Sequence, residues 1–556
     1  MSDFDLVIRG GTIVDGTGGP ERLGDLAIRD GRIAAIGRVS GSARRVLDAE
    51  GAAVAPGFID VHTHYDAQVF WDRMLTISPW HGVTSVIIGN CGFGVAPTRP
   101  PHRDLMLRTL ENVEGMSIEA LRKGVGEDWP FETFPEFLDA LDRLGSAIHV
   151  GAFIGHTPVR TWVMGEEAVQ REATEDEIGE MRAIVAEALR AGAIGFATSK
   201  APTHIGYDGN PVPSREAALA EITALARCLG EAGRGVFQAT IGAGFFLDEL
   251  AAIQQACGRP VTWTALLGGM LGPDGHRGIL AKTAEMHEQG IHVYPQVTPR
   301  PLMLEFQFSA PFPLASLPVM KRVFAASLEG KHAIYREPGF REELARALDA
   351  SWFGRSFRTM QVTHAPHDAS LVERQVGEIA DERGVHPVAM ALDAALESDL
   401  AARFRIAILN TDERATAELL RDHSTILGLS DAGAHASQLC DAGAATDLLG
   451  RWVREKQVLP LAEAVQRLTS EPARVFGLHD RGRLAEGMVA DVTVFEPETV
   501  GCGPLRRVWD FPAGADRLVA DAYGIRAVIV AGTPIREEGR DVVDPTGPLP
   551  GRVLRG

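Results

Sequence analysis

Two histidines spaced two apart, His62 and His64, are the residues whose type and spacing most directly indicate chemistry in this sequence. They follow an apolar run with a Pro-Gly turn at positions 53–59, which places them at the end of a predicted β-strand. Residues two apart in an extended strand point to the same side, so both imidazoles would face one point. Neutral imidazole is a common ligand of divalent transition metals, and the pattern therefore predicts a metal site. A bare His-x-His pair without this context would instead be interpreted as two unrelated loop histidines.

Cys91 and Asp431 follow two other predicted strands and add further reactive groups. Cys91 lies in a glycine-rich turn at 89–94, where glycines let the backbone turn sharply and leave the thiol accessible. A thiolate can bind metal or act as a nucleophile, although a lone cysteine is more often a buried structural residue. Asp431 follows the apolar run 425–429. Its carboxylate could bind metal and accept a proton from metal-activated water, or it could cap the next helix.

Three more polar residues follow predicted strands in the middle of the chain. His156 comes directly after the apolar run 148–154, and Lys200 and His204 come shortly after the run 193–198. If these strands end at the same edge, the three side chains would stand near the two histidines of the first strand. For Lys200 the simpler interpretation is a solvated lysine at the rim of the site.

The elements that must position these residues alternate between strand and helix. From about 58 to about 478, short apolar runs are separated by helical patterns such as 174–191 and 214–232. This order predicts a parallel sheet, and eight strands predict an α/β protein with a (β/α)8 TIM barrel. The active site of such a barrel lies at the C-terminal ends of its strands. The predicted strands are 58–64, 84–88, 148–154, 193–198, 235–239, 261–266, 292–296 and 425–429.

Both ends of the chain carry short strand-turn-strand patterns, including an Asp-Gly hairpin signal at 30–31. Neither end offers enough strands for a stable sheet of its own. We therefore expect one small β-sandwich domain from 1–57 plus 479–556, with the barrel at 58–478; two separate β-modules would each have little core. A segment rich in proline and phenylalanine interrupts the barrel at about 298–364. This segment could form a lid or binding loop, or a surface subdomain without a role in the site, and the sequence favours both equally.

Composition narrows the class of protein and its partners. The 556 residues are 45% hydrophobic and 23% charged, as in ordinary globular proteins. A net charge of −19 argues against nucleic acid or an anionic membrane as the main partner, but it says little about the substrate. The five widely spaced cysteines do not suggest a disulfide framework. The first residues resemble neither a signal peptide nor a membrane anchor, so we expect a cytoplasmic protein, and whether it forms a homo-oligomer stays open.

An ordered set of motifs resembles the amidohydrolase superfamily, and within it the N-acyl-D-amino-acid deacylases, or D-aminoacylases. The resemblance implies a metal-bearing barrel with a β-sandwich from both termini, and hydrolysis of an amide by metal-activated water. It also implies that His62 and His64 are metal ligands, that Cys91 is the metal-binding cysteine, and that Asp431 binds metal or serves as the base. The motifs are PGFIDVHTHYD (56–66), HGVTSVIIGNCGFGVAP (81–97), GHTPVR (155–160), EALRAGAIGFATS (187–199), GLSDAGAH (428–435), LTSEPARVFGL (468–478) and DRGRLAEGMVADVTVFEP (480–497).

The sequence departs from this family at two strand ends. The deacylases place a histidine ligand after strand 5 and another after strand 6, whereas the corresponding regions 236–241 and 261–266 contain none. Gln238 and Thr264, which stand there, are weak ligands for zinc. Three outcomes stay open: one metal held without those histidines, a site partly rebuilt by Lys200 or His204, or loss of metal-dependent catalysis.

The candidates for binding a substrate carboxylate are Arg160, Arg300 and His364. Each of them could equally be a surface residue or a structural ion-pair partner. The leading hypothesis is a metal-dependent hydrolase of the amide C–N bond in an N-acyl amino acid or related small amide. Asp431 would move the proton, and the metal or His156 would stabilise the oxyanion. The alternatives are cyclic-amide hydrolysis, another metal-assisted cleavage in this fold, and a non-catalytic descendant that binds a small molecule. The ligand types favour zinc without excluding other transition metals.

Overall fold

The first five strands form one part of a mixed β-sheet. The computed structural model describes residues 2–314, 317–350, 353–435 and 440–556. The five strands are β1 (Phe4–Ile13), β2 (Arg22–Arg29), β3 (Arg32–Gly37), β4 (Ala43–Asp48) and β5 (Ala53–Pro56). β1 pairs antiparallel with β2 and parallel with both β4 and β5. The Asp-Gly turn joins β2 to β3 with φ of 51° at Asp30 and 73° at Gly31, the positive values that a tight hairpin turn requires.

Seven parallel strands follow, each hydrogen-bonded to the next in chain order. They are β6 (Phe58–Asp60), β7 (Val83–Ile88), β8 (His149–Gly155), β9 (Gly195–Ser199), β10 (Val236–Thr240), β11 (Val261–Thr264) and β12 (Val293–Val297). Every residue of β7 and β8 is buried, as expected for strands covered on both faces. The helices of this region are α1 (Arg103–Glu114), α2 (Ile118–Val125), α3 (Phe134–Leu144), α4 (His156–Met164), α5 (Glu175–Ala191), α6 (Leu219–Ala232), α7 (Leu247–Cys257) and α8 (Gly275–Glu288).

A subdomain with its own apolar core interrupts the barrel after β12. Its three-stranded antiparallel sheet has the order β13 (Leu302–Gln307), β15 (Arg403–Leu409), β14 (Gln361–His364). This insertion extends to Leu409, beyond the predicted limit at residue 364, because β15 returns to pair with both earlier strands. Its helices are α9 (Lys321–Phe324), α10 (Leu328–Arg336), α11 (Pro338–Asp349), α12 (Phe353–Arg358), α13 (Val376–Arg383) and α14 (Pro387–Glu397).

The eighth barrel strand, β16 (Ile426–Leu427), pairs in parallel with β12. The barrel closes beyond it through the backbone: the His64 N–H donates to the Ala432 carbonyl at 2.7 Å, and the Asp431 N–H donates to the His62 carbonyl at 3.1 Å. The segments that follow the first and the last barrel strands are therefore neighbours. The remaining helices are α15 (Glu413–Arg421), α16 (Ala444–Asp447), the π-helical segment Leu448–Glu455, α17 (Leu461–Leu468) and α18 (Ser470–Phe476).

The C-terminal strands complete the sheet that the N-terminal strands began. β17 (Val492–Phe495) pairs with β5, and β20 (Ile525–Val530), β21 (Thr533–Glu537) and β22 (Arg540–Asp541) continue outward from it. β18 (Gly501–Val508) and β19 (Arg517–Tyr523) form a separate hairpin, and β23 (Val553–Leu554) pairs with barrel strand β8.

A parallel eight-stranded barrel with a sheet from both termini confirms the predicted α/β class. The domain bounds 1–57 plus 479–556 and 58–478 stay a proposal. Within the described residues, no helix is both long and apolar enough to cross a membrane.

Candidate metal centre

The imidazoles of His62 and His64 and the thiol of Cys91 converge at the C-terminal end of the barrel. All three side chains are buried, and their donor atoms lie within 4.8 Å of one another. His62 Nε2 lies 3.3 Å from His64 Nε2 and 3.5 Å from Cys91 Sγ. Around a tetrahedral ion with bonds of about 2.0–2.3 Å, neighbouring ligand atoms are about 3.3–3.7 Å apart. The two observed separations are therefore those of ligands that share one ion.

A left-handed backbone turn positions the thiol of Cys91. The φ values are 79° at Gly89, 58° at Cys91 and 73° at Gly92. A Cβ atom at Gly92 would lie 2.8 Å from the Cα atom of Thr198, so a larger residue would displace β9. The Cys91 N–H donates to Gln238 Oε1 at 2.8 Å, which ties the turn to β10. The glycine-rich turn noted in the sequence is thus what brings the thiol to the histidines.

Each ligand imidazole is supported on its far side by a different side chain. His62 Nδ1 donates to Gln296 Oε1 at 2.7 Å, and His64 Nδ1 lies 3.0 Å from Glu114 Oε1. These contacts orient the Nε2 atoms toward each other, as outer partners of metal-binding histidines do. Neither support was indicated by a motif. Glu114 ends the amphipathic helix α1, where an acidic residue is ordinarily exposed. In the structure Glu114 is only 4% exposed.

Asp431 stands against both imidazoles. Its Oδ1 lies 3.3 Å from His62 Nε2 and 3.6 Å from His64 Nε2. Burial would raise the pKa of Asp431, but its contacts with the two imidazoles outweigh burial and lower the pKa to about 2. Burial likewise opposes ionisation of Cys91, and the same imidazoles lower the pKa of its thiol to about 7. Asp431 is therefore ionised at neutral pH and the Cys91 thiol is partly ionised there, and the thiolate is the form of cysteine that binds metal.

The donor set fits a divalent transition metal. His62 Nδ1 is hydrogen-bonded to Gln296, and His64 Nδ1 lies 3.0 Å from the Glu114 carboxylate, so the two Nε2 atoms are the nitrogens left to face the same space, an arrangement that a shared cation stabilises. Two nitrogens and one sulfur suit zinc and its neighbours in the transition series. The role of Asp431 as a further metal ligand or as the catalytic base stays a prediction.

Comparison with known proteins decides the family. The sequence profile described as the amidohydrolase family matches residues 45–300 and 335–536. The chain belongs to the amidohydrolase family. This amidohydrolase is 32% identical to N-acyl-D-glutamate deacylase of Alcaligenes xylosoxydans xylosoxydans, over 99% of this chain and 96% of that protein. The family inferred from the motifs is confirmed, and with it a hydrolase that acts on amide C–N bonds.

Two solved structures share the complete fold of this amidohydrolase. The N-acyl-D-glutamate deacylase of Bordetella bronchiseptica, complexed with zinc and a phosphonate that mimics the tetrahedral intermediate, is 28% identical with a TM-score of 0.69. A D-aminoacylase described as having a binuclear metal centre, with one-metal activation and second-metal attenuation, is 27% identical with a TM-score of 0.66. In both cases the match covers 100% of each chain.

His156 and Arg160 form a buried ionic cluster instead of lining the site. His156 Nδ1 lies 2.8 Å from Thr198 Oγ1 and its Nε2 lies 2.8 Å from Glu221 Oε1, so both ring nitrogens are engaged. Arg160 donates to Glu221 Oε2, to the Ala168 carbonyl and to the Arg171 carbonyl. The geometry therefore argues against His156 as an oxyanion donor and against Arg160 as a substrate-binding residue. Their spacing of four on helix α4 places both side chains against the same buried carboxylate.

Arg300 and His364 are also engaged away from the metal-site cluster. Arg300 Nε donates to Asp441 Oδ1 at 2.6 Å, and its Nη1 contacts Cys502 Sγ at 3.4 Å. Although burial acts in the opposite direction, Asp441 raises the pKa of Arg300. His364 ends β14 in the insertion, where burial and then the neighbouring Arg403 lower its pKa. This geometry therefore does not support the predicted role of either residue in binding a substrate carboxylate.

Lys200 and His204 differ in how close they come to the centre. The Lys200 ammonium donates to the carbonyls of Arg215 and Ala217, so this geometry does not support the open alternative in which Lys200 rebuilds part of the metal site. The His204 ring packs at a tilt against Phe93 with ring centroids 5.0 Å apart, and the Phe93 ring in turn lies 6.4 Å from that of His64. The Nδ1 atom of His204 is 2.7 Å from Ser199 Oγ. His204 therefore borders the site without joining the three convergent donors.

Proposed function

We propose that this amidohydrolase removes the acyl group from an N-acyl-D-amino acid with the help of one divalent metal ion, zinc being the first candidate. The observation that carries the proposal is the meeting of His62, His64 and Cys91 beside the carboxylate of Asp431. Residues after three different barrel strands contribute to this cluster, as in barrel enzymes generally. The D-amino acid is inferred from the relatives, which are named N-acyl-D-glutamate deacylase and D-aminoacylase. Zinc is supported by the donor types and by the zinc complex of one relative.

Asp431 is the proton carrier in this proposal. An ion held by the three donors would lower the pKa of water and polarise the amide carbonyl. Asp431 accepts the proton that the attacking water loses and delivers it to the amine nitrogen as the C–N bond breaks. The water oxygen leaves in the new carboxylate and the amino acid leaves with the delivered proton. The carboxylate can begin this cycle because its lowered pKa keeps it ionised at neutral pH.

Release of free amino acid from a matched substrate set tests the proposal. N-acetyl-D-glutamate, N-acetyl-D-aspartate, N-acetyl-D-leucine and their L-enantiomers would be incubated with the metal-replete protein. We expect hydrolysis of at least one D-substrate, its loss on chelation, and a fall in kcat of about 10²–10⁴ in Asp431→Asn. Asp480→Asn, at an exposed carboxylate, is the matched control. No release from any of these amides, or hydrolysis only of cyclic amides, would refute the proposed reaction.

A cytoplasmic location is part of the same proposal. All five cysteines are free, and four of them are buried. Thiols that are not paired are typical of proteins that work in a reducing compartment. The small-molecule substrate proposed above is compatible with that setting.

A further inference from the structure

We propose that this chain binds a single metal ion and that Cys91 is a terminal ligand of that ion rather than part of a second site. The inference rests on the metal-dependent function proposed above. It sets this chain apart from the D-aminoacylase relative, whose centre is described as binuclear, with attenuation by the second metal. The resemblance described above implies histidine ligands after strands 5 and 6, and the chain has none at 236–241 or 261–266. The hydrogen bonds that the side chains at those two strand ends make instead are the evidence for a single ion.

The ends of β10 and β11 are occupied by a closed hydrogen-bond network. Gln238 Oε1 accepts the Cys91 N–H at 2.8 Å, and Gln238 Nε2 donates to Thr264 Oγ1 at 3.3 Å. Thr264 Oγ1 is also 3.3 Å from Thr240 Oγ1. Gln238 is fully buried, and the network uses the side-chain oxygen that would otherwise be its only possible metal ligand. These two strand ends therefore support the loop of the first site instead of binding a second ion.

Strand β12 repeats the same arrangement. Gln296 Oε1 accepts from His62 Nδ1 at 2.7 Å, while Gln296 Nε2 donates to Thr262 Oγ1 at 3.2 Å. Gln296 is fully buried as well. Two glutamines thus hold two of the three convergent ligands, one through a backbone N–H and one through an imidazole. On this side of the barrel interior, the buried glutamines therefore support the donors of one site.

Two other polar residues near the site, Lys200 and His156, are engaged elsewhere, whereas His204 borders the site with its Nδ1 atom 2.7 Å from Ser199 Oγ. The amine of Lys200 is committed to the carbonyls of Arg215 and Ala217, and both ring nitrogens of His156 are committed to Thr198 and Glu221. Across residues 2–314, 317–350, 353–435 and 440–556, one group of three or more His, Cys, Asp or Glu donors converges closely enough to hold a metal, and it is the first site. In the described part of the chain, no second set of three such donors is therefore in place for another ion.

Cobalt titration of metal-free protein counts the ions and identifies the ligand in one experiment. Thiolate ligation to Co²⁺ gives a near-ultraviolet charge-transfer band, so the band reports on cysteine directly. We expect the band to saturate at one equivalent and elemental analysis after dialysis to give one cobalt per chain. In Cys91→Ser the band should be lost, whereas Cys228→Ser, at a buried cysteine on α6, should keep it. Two equivalents per chain, or a band that survives in Cys91→Ser, would overturn the inference.

A second arm uses zinc and does not depend on any cysteine variant being folded. Adding excess Zn²⁺ to the one-equivalent wild-type protein should leave metal content after dialysis and the hydrolysis rate unchanged. Lys200→Met and His204→Ala should each still bind one equivalent. A second equivalent in the wild type that disappears in either variant would refute the single-ion assignment and locate the other site. Because ion counting needs no substrate, a protein that binds one ion and cleaves no N-acyl amino acid would refute the proposed function alone.

Discussion

Glu114 is the residue that most distinguishes the environments of the two ligand imidazoles. His62 is supported by the neutral amide of Gln296, whereas His64 is supported by a carboxylate that is itself only 4% exposed. A carboxylate on the far nitrogen fixes the tautomer of a metal-binding imidazole and makes it a stronger base. The Glu114 carbonyl also accepts the backbone N–H of His435, so one residue links α1, a ligand and the segment after β16. Glu114 is therefore expected to tune metal affinity through His64.

Replacing Glu114 with glutamine should weaken metal binding while preserving the shape of the site. Loss of the outer carboxylate typically lowers metal affinity by about 10–100-fold. Competition for Zn²⁺ against a chelator of known affinity measures the change. Glu119→Gln, at an exposed glutamate of the neighbouring helix, is the control and should bind as the wild type does. Wild-type affinity in Glu114→Gln would show that the carboxylate has no role in metal binding.

At the residue scale, the sequence identified the convergent donors but not their supports. His62, His64 and Cys91 could be proposed because short motifs at strand ends restrict where their side chains point. Glu114 and Gln296 could not, because their partners lie far away in sequence and ordinary glutamates and glutamines are exposed. For His156 and Arg160 the motif was visible, yet the fold pairs both with Glu221 on a distant helix.

At the element scale, a group of four charges joins the insertion to the β18–β19 hairpin. Glu305 on β13 and Asp516 beside β19 face Arg403 on β15 and Arg507 on β18. Arg403 lies 3.6 Å from Glu305 and 2.9 Å from Asp516, and Arg507 pairs with both acids. Glu305 is 3% exposed, so its charge depends on these arginines for compensation. The contact fixes the position of the insertion relative to the C-terminal hairpin.

Glu305→Gln should loosen the insertion without unfolding the barrel. Removing one partner of a buried ion pair costs about 3–5 kcal/mol, and 3 kcal/mol corresponds to roughly a hundredfold change in a local opening equilibrium. Hydrogen exchange resolved by segment should therefore accelerate by about that factor in β13 and β15, with β7 and β8 unchanged. Glu337→Gln removes an exposed partner of Arg322 in the same insertion and should have little effect. Equal acceleration in the barrel strands would contradict a local role.

Most of the barrel strands and helices were predictable from the sequence, and the end of the insertion was the exception. The barrel strands alternate with helices at short range, so apolar runs and turn residues locate them. The insertion was expected to end near 364 because the stretch rich in proline and phenylalanine interrupts the strand-helix alternation from about 298 to about there. Its true end at Leu409 is set by β15 pairing with β13 and β14, a long-range contact that local patterns do not encode.

At the scale of the whole molecule, Asp491 connects the barrel to the terminal sheet. Its Oδ1 is 3.0 Å from His149 Nε2 at the start of β8 and accepts the Ala531 N–H at 2.8 Å. Its Oδ2 accepts from Arg481 Nη1 at 2.7 Å. His149 Nδ1 in turn accepts the backbone N–H of Arg552, next to β23. Because the carboxylate is nearly fully buried, these contacts hold segments from widely separated parts of the chain around one charge.

Asp491→Asn should destabilise the protein by about 3–5 kcal/mol at neutral pH, because it leaves the buried charge of Arg481 short of a partner. Burial alone would raise the pKa of Asp491, but His149 and Arg481 outweigh burial and hold the pKa below its usual value of 3.8. A lowered folded-state pKa stabilises the protein above the usual value, and that stability is lost as the pH falls through the folded pKa. The difference between wild type and variant in urea unfolding should therefore be largest at pH 7 and narrow below about pH 4. Asp480→Asn removes the exposed partner of the same arginine and should change stability by less than about 1 kcal/mol. If Asp491→Asn unfolded at the same urea concentration as the wild type and the Asp480→Asn control, Asp491 would not be the charge that joins the sheet to the barrel.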